Sequence, residues 1–260
     1  MGGKSGCVRR GALRYVSPDR KHDWPALKRS LARLHREARA FLGRAVLIGG
    51  GACLFYRARL AAAGDPDFRV APLDPETERL WLSKDLDFTG VFSGDAMELV
   101  PHLVVCDAAG HEYLEVEGVR LGFAQVGLVL DPERALETAR TGEFETESGT
   151  VEFLVADPVT LYLEKQALVQ RRGQPGDSLH LALLHDYVAW EVVHAAERLL
   201  AGPEFLSVGE TRHWLALLTD AAHRASEVTR DPRIRRRLVA VGNGGGDMEA
   251  TLVNLLELGA

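Results

Sequence analysis

WLSKDLDFTG, residues 81–90, places two aspartates one residue apart in a run that reads as a β-strand. Side chains at i and i+2 of a strand share a face. Asp85 and Asp87 therefore point one way, while Leu86 and Phe88 point the other way, into a core. Two desolvated carboxylates repel and resist ionising together. A divalent cation with oxygen ligands resolves that conflict and leaves room for substrate phosphates. An edge strand with its acidic face in water gives the same pattern with no ion at all.

Upstream, AVLIGGGACLFYRARLAAAG (residues 45–64) reads as a short buried strand over 45–48, three glycines, and a helix over 52–63. A strand that stops at glycines and opens a helix leaves bare backbone N–H groups at a helix N-terminus, where an anion can sit close. The run is neither G-x-G-x-x-G nor a P-loop, because no Gly-Lys-Ser/Thr follows. Three glycines also simply make a tight turn. DPDFRVAPLDPETERL (residues 65–80) carries three prolines and many charges and reads as a loop or insertion.

On the N-terminal side, residues 1–20 look irregular. HDWPALKRSLARLHREARAFLG (residues 22–43) reads as a helix with Asp23 as N-cap and Pro25 in its first turn. Leu27, Leu31, Leu34, Ala38 and Leu42 recur at helical spacing. Beyond Gly90, DAMELVPHLVVC reads as a helix leading to a strand. HEYLEVEGVRLGFAQVGLVL alternates and turns at Glu117-Gly118, the pattern of a hairpin. A helix near 132–140 and a strand in GTVEFLVADP follow. After Pro158 the texture is helical through VTLYLEKQALVQRRG, DSLHLALLHDYVAWEVVHAAERLLAG, VGETRHWLALLTDAAHRASEV and DMEATLVNLLELG, with VGNGGGD as a flexible turn. The expectation is an α+β protein. It has a basic segment and helix over 1–44, a mixed β-sheet flanked by helices over 45–158, and a helical region over 159–260.

The 260 residues are 46% hydrophobic and 26% charged, the balance of an ordinary globular protein. No apolar run approaches the roughly 20 residues of a membrane span, and no hydrophobic signal core opens the chain, so a cytoplasmic protein is expected. Cys7, Cys53 and Cys106 show no metal spacing and read as reduced thiols. The net charge of −6 is uneven: residues 1–44 hold 12 Lys/Arg against three acids, the remainder 19 against 34. A basic segment on an acidic body suits nucleic acid, docking on that body, or a solvated helix face.

VLIGGGACLFY together with SKDLDF resembles the nucleotidyltransferase-fold superfamily, in particular the bacterial minimal nucleotidyltransferase-like proteins related to the AbiEii/AbiGii toxin group. The resemblance runs from Ala45 to about Leu184. It implies that Gly49 and Gly50 face nucleotide phosphates and that Asp85 and Asp87 are the catalytic, metal-binding pair. Ser83 would fill the small hydroxyl position ahead of them. In LYLEKQALVQRRGQPGDSLHLALL it points to Lys165 as a triphosphate contact, with Arg171 or Arg172 and Asp177 beyond. Lys165 also reads as a solvated helix lysine, and Asp177 as the N-cap of the next helix.

The resemblance further implies Mg²⁺ or Mn²⁺, a nucleoside triphosphate, and transfer of a nucleoside monophosphate to a hydroxyl on tRNA, a protein or a small molecule. A toxin–antitoxin setting with an antitoxin partner would follow. Two departures stand out. The gap from Gly50 to Asp85 is long, with residues 65–78 as the insertion. Active members use a third acid on a neighbouring strand, where this chain offers Gly122 between Leu121 and Phe123; Glu115, Glu117 and Glu152 are alternatives. Without that acid, binding survives and transfer does not, which leaves a catalytically degenerate binding protein as the rival expectation. His180 and His185 are five apart, a poor spacing for one metal. Trp190 and Trp214 read as core, and Cys53 as a packed cysteine.

Overall fold

The computed structural model describes residues 21–107, 109–124, 127–200 and 206–241. The expectations for 1–20 and for DMEATLVNLLELG, and nearly all of VGNGGGD, lie outside them. The chain forms two compact units. One runs to Phe55 and resumes over Leu73–Asp157; the other takes Tyr56–Pro72 and the chain from Pro158.

The first unit contains, in order, α1 (Trp24–Glu37), α2 (Arg39–Leu42), β1 (Val46–Ile48), the start of α3 (Gly49–Ala63), α4 (Pro75–Trp81) and β2 (Asp85–Thr89). It continues with α5 (Ser93–Leu99), β3 (Val104–Cys106), β4 (Glu112–Val116), β5 (Val119–Phe123), α6 (Pro132–Glu137), β6 (Arg140–Thr146) and β7 (Gly149–Val155). The strands form one sheet in the order β3-β4-β5-β2-β1-β7-β6. β1 runs antiparallel to β2 and parallel to β7, and β2 runs parallel to β5. The β3–β4, β4–β5 and β6–β7 pairs are antiparallel. The expected mixed sheet flanked by helices is present.

The reasons are local. Asp23 caps α1 by accepting the Ala26 N–H at 2.8 Å, a bond that typically stabilises by about 1 kcal/mol. Leu27, Leu31 and Leu34 are fully buried along one face. The helix breaks at Ala38, and α2 then brings Phe41 edge-on to Phe88 and Phe123, at 5.2 and 6.1 Å between ring centres. The β4–β5 turn falls at Glu117 (φ 53) and Gly118 (φ 77), the positive dihedrals that a two-residue hairpin needs.

Some expectations are corrected. Residues 75–81 are a helix, not loop, because Asp74 caps it through Glu76 and Thr77 while Pro75 supplies a preset first turn. The helix near 132 ends at Glu137, and Arg140 already belongs to β6, a strand with no counterpart in the sequence reading. The three glycines do not precede α3 but form its first turn. Cys53 is a buried thiol, whereas Cys106 is disulfide-bonded, so the thiols are not all reduced.

The second unit contains the rest of α3, then α7 (Pro158–Arg172), α8 (Pro175–Leu200), α9 (Val208–Arg224), α10 (Ser226–Thr229) and α11 (Pro232–Val241). Tyr56 packs on Tyr187 at 4.5 Å, and Trp190 and Trp214 are half-buried in a row of ring contacts that includes His194. Residues 65–68 are tied down. Phe68 is buried beneath the Arg233 guanidinium at 4.5 Å, and Arg237 bridges Asp67 at 3.1 Å and Glu197 at 2.7 Å.

Candidate functional site

β2 alternates as its sequence requires. Leu86 and Phe88 are fully buried, and Asp85 and Asp87 are half-buried on the opposite face. Strand pairing then places the carboxylates. Asp87 lies opposite Ile48, the last residue of β1, and opposite Gly122 on β5. Its side chain reaches the glycine turn: a Cβ at Gly49 would stand 2.7 Å from Asp87 Oδ2, and one at Gly122 would overlap Asp87 Oδ1. The Asp87 carboxylate therefore sits between two positions that only glycine leaves open. Gly49 is required twice, since its φ of +64° also lies in the left-handed region.

The other glycines divide the work. Gly51 lets α3 close onto the sheet, where an added Cβ would meet Leu47 and Leu86 at 3.3 Å. Gly50 is half-buried in the same first turn. Ser83 is buried and donates its hydroxyl to the Asp85 carbonyl at 2.8 Å. Its backbone pairs with His22, at 2.6 and 3.0 Å, and this fixes how the chain enters β2.

Burial pushes the Asp85 carboxyl above its usual range, and the charges of Arg120, Lys84 and His22 offset this only in part. Arg120 stands directly opposite Asp85 on β5, and Glu115 stands opposite Arg120 on β4. The Arg120 guanidinium lies 5.1 Å over the Tyr113 ring. The two β5 residues that face the Asp pair are thus Arg120 and Gly122, and neither is acidic. The alternatives are placed elsewhere. Glu115 is one strand further out, Glu117 pairs with Arg33 at 3.2 Å, and Glu152 faces Arg39 at 3.5 Å. Arg120 and Tyr113 were missed in the sequence. Their signal was present in VRLGF, where Arg120 shares the face of Gly122.

The donor set fits a hard cation. Two carboxylates on one face supply oxygen ligands, and Mg²⁺ commonly takes one or two such ligands and completes its shell with water and phosphate. Asp87 also lies at the N-terminus of α3, which attracts anions. A phosphate brought there meets a carboxylate already in place, so charge balance calls for a cation to arrive with it.

Lys165 and Asp177 belong to the second unit and correct two expectations. Lys165 is no solvated lysine: it is buried, and its ammonium donates to Asp177 Oδ1 at 2.9 Å. Asp177 is not an N-cap but lies inside the first turn of α8, where Arg172 donates to both of its oxygens at 2.6 and 3.0 Å. Burial works against the Asp177 carboxylate, but the hydrogen bonds from Arg172 and Lys165 outweigh it and hold its pKa down at about 2. The same unit holds His185, Asp186 and Asp231 with ligand atoms within 4.8 Å of one another. The Arg233 guanidinium already bonds both carboxylates there, so we assign no metal to that group.

No family model matches the chain, and no curated protein is similar to it. Among solved structures it is similar to an antigenic nucleotidyltransferase-like protein from Paracoccidioides brasiliensis, at 14% identity over 82% of this chain and 93% of that one, with a TM-score of 0.38. No helix among the described residues is long and apolar enough to cross a membrane.

Proposed function

We propose that this chain is a nucleotidyltransferase-like protein that takes a nucleoside triphosphate with a divalent cation at Asp85 and Asp87. The observation that carries the reading is the fit of the Asp87 carboxylate between Gly49 and Gly122. It brings the Asp-x-Asp strand to the strand–glycine–helix turn, the two elements that a metal-bound triphosphate needs side by side. In this reading Asp85 and Asp87 hold Mg²⁺ or Mn²⁺. The N–H groups at Gly49 and Gly50 receive phosphate oxygens. Ser83 fixes the backbone at Asp85. When bound, the ion neutralises phosphate charge and polarises the phosphorus toward attack.

In the fuller form of the reading, a hydroxyl of RNA, protein or a small molecule attacks the α-phosphorus and pyrophosphate leaves. One specific observation favours the narrower form, a degenerate fold that binds nucleotide without transferring it. The attacking hydroxyl must lose a proton, and the strand beside the pair offers Arg120 and Gly122 in place of a carboxylate. Lys165 takes no part in the core of the proposal, because its ammonium is engaged by Asp177. The test is incubation with each α-labelled triphosphate and Mg²⁺, with total RNA and the protein itself as acceptors. Label transfer that Asp87→Asn abolishes establishes the enzyme. Binding without label transfer establishes the narrower reading, and neither binding nor transfer ends both.

A further inference from the structure

Arg120 occupies an unusual place for a cation. It shares a sheet face with Asp85 on one side and Glu115 on the other, each directly opposite it in register. Neighbouring strands lie about 4.7–4.9 Å apart, so these charges are close. Yet among the described residues neither carboxylate closes an ion pair with the Arg120 guanidinium. The guanidinium lies instead over the Tyr113 ring at 5.1 Å, and Arg120 is exposed. Stacking on a ring holds a guanidinium in place while leaving its N–H groups free. That planar fork matches the oxygens of a phosphate and binds them in a fixed orientation.

The row Asp85–Arg120–Glu115 also solves a charge problem. A triphosphate carries more negative charge than one divalent ion cancels, and a second ion needs further carboxylates beside the first two. β5 supplies none and presents a fixed positive charge instead. Resting on the reading of Asp85 and Asp87 as the metal–nucleotide site, we propose that Arg120 binds a phosphate oxygen of the triphosphate directly, as the resident cation that replaces a second metal ion. The site then takes one divalent ion per nucleotide.

The test uses the full chain as wild type, Arg120→Ala, Arg120→Lys and Asp87→Asn. ATP, GTP, CTP and UTP are titrated one at a time by calorimetry with Mn²⁺ present, and bound Mn²⁺ is counted by electron paramagnetic resonance. One Mn²⁺ per bound nucleotide is expected. Arg120→Ala should weaken the nucleotide about 10- to 100-fold, the scale of a lost charge-assisted hydrogen bond, with the melting curve unmoved. Arg120→Lys should recover only part of that, since a point charge lacks the fork. Two ions per nucleotide, or equal affinities of wild type and Arg120→Ala while Asp87→Asn binds nothing, overturns the role of Arg120 and leaves the Asp-pair reading standing. A wild type that holds none of the four nucleotides, or an Asp87→Asn variant that binds like wild type, overturns both.

Discussion

Replacing Lys165 with Met removes one of the two cations on a buried carboxylate. In the fold Asp177 has its pKa held down at about 2, against about 3.9 for an ordinary aspartate; the difference is worth about 2–3 kcal/mol, net of the cost of burial. Three hydrogen bonds produce it, one from Lys165 and two from Arg172. Arg172 stays in Lys165→Met, so the loss should fall below the roughly 3–5 kcal/mol of a pair broken outright; about 1.5–3 kcal/mol is expected. The sign with pH follows from a depressed carboxyl pKa. The stabilisation is fully present above about pH 4 and is lost as pH falls through about 2. Urea unfolding followed by circular dichroism, repeated between pH 7 and the lowest pH at which the protein stays soluble, measures both effects. Lys165→Met should be less stable at pH 7 and lose less on acidification than wild type. The double variant Lys165→Met/Asp177→Leu should regain most of the stability, because an apolar pair often substitutes for a buried ionic one. A change below about 0.5 kcal/mol in Lys165→Met, the usual size for a solvated surface residue, would show that the Lys165–Asp177 pair contributes nothing to stability.

Gly122→Ala should cost less than about 1 kcal/mol in stability, since what stands in the way of the new Cβ is the end of the Asp87 side chain, which can turn aside, and not backbone. It should weaken Mg²⁺-dependent nucleotide binding at least about tenfold, the scale of one lost charged contact, because the new Cβ takes the space of Asp87 Oδ1; unchanged affinity by calorimetry counts against the glycine-lined seat. Asp85→Asn should be neutral or stabilising without metal. The Asp85 carboxyl is raised by burial, so its charge opposes the fold as pH rises through its folded pKa, and a lower melting temperature for the variant at pH 7 contradicts this. Asp23→Ala should cost about 1 kcal/mol through its lost helix cap, which a thermal melt measures.

How much was legible in the sequence followed the range of the signal. The α1 cap, the β4–β5 turn and the alternation of β2 are set by residues within a few positions of one another, and all three appear where Asp23, Glu117-Gly118 and Leu86/Phe88 place them. α4 was hidden because the three prolines of residues 65–80 read as loop, although Asp74-Pro75 is a capping pair. β6 was hidden because its buried positions include Gly142, over which the Phe153 ring lies, so one face of the strand shows little apolar pattern. The Asp pair was legible from a period of two. Its surroundings were not, because the register of β2 against β5 brings together residues more than 30 positions apart in the chain. Burial of Lys165 was equally silent: a lysine in a helix looks solvated until the fold brings Asp177, twelve positions away, against it.

Whether Asp87 holds a metal-bound nucleotide is settled most directly by titrating the four nucleoside triphosphates into wild type and Asp87→Asn, with and without Mg²⁺. Wild type is expected to bind at least one of them only when Mg²⁺ is present and Asp87→Asn to bind none, while both proteins keep the same melting temperature in the absence of ligand. Binding by wild type that is indifferent to Mg²⁺, or equal Mg²⁺-dependent binding by Asp87→Asn, would contradict it.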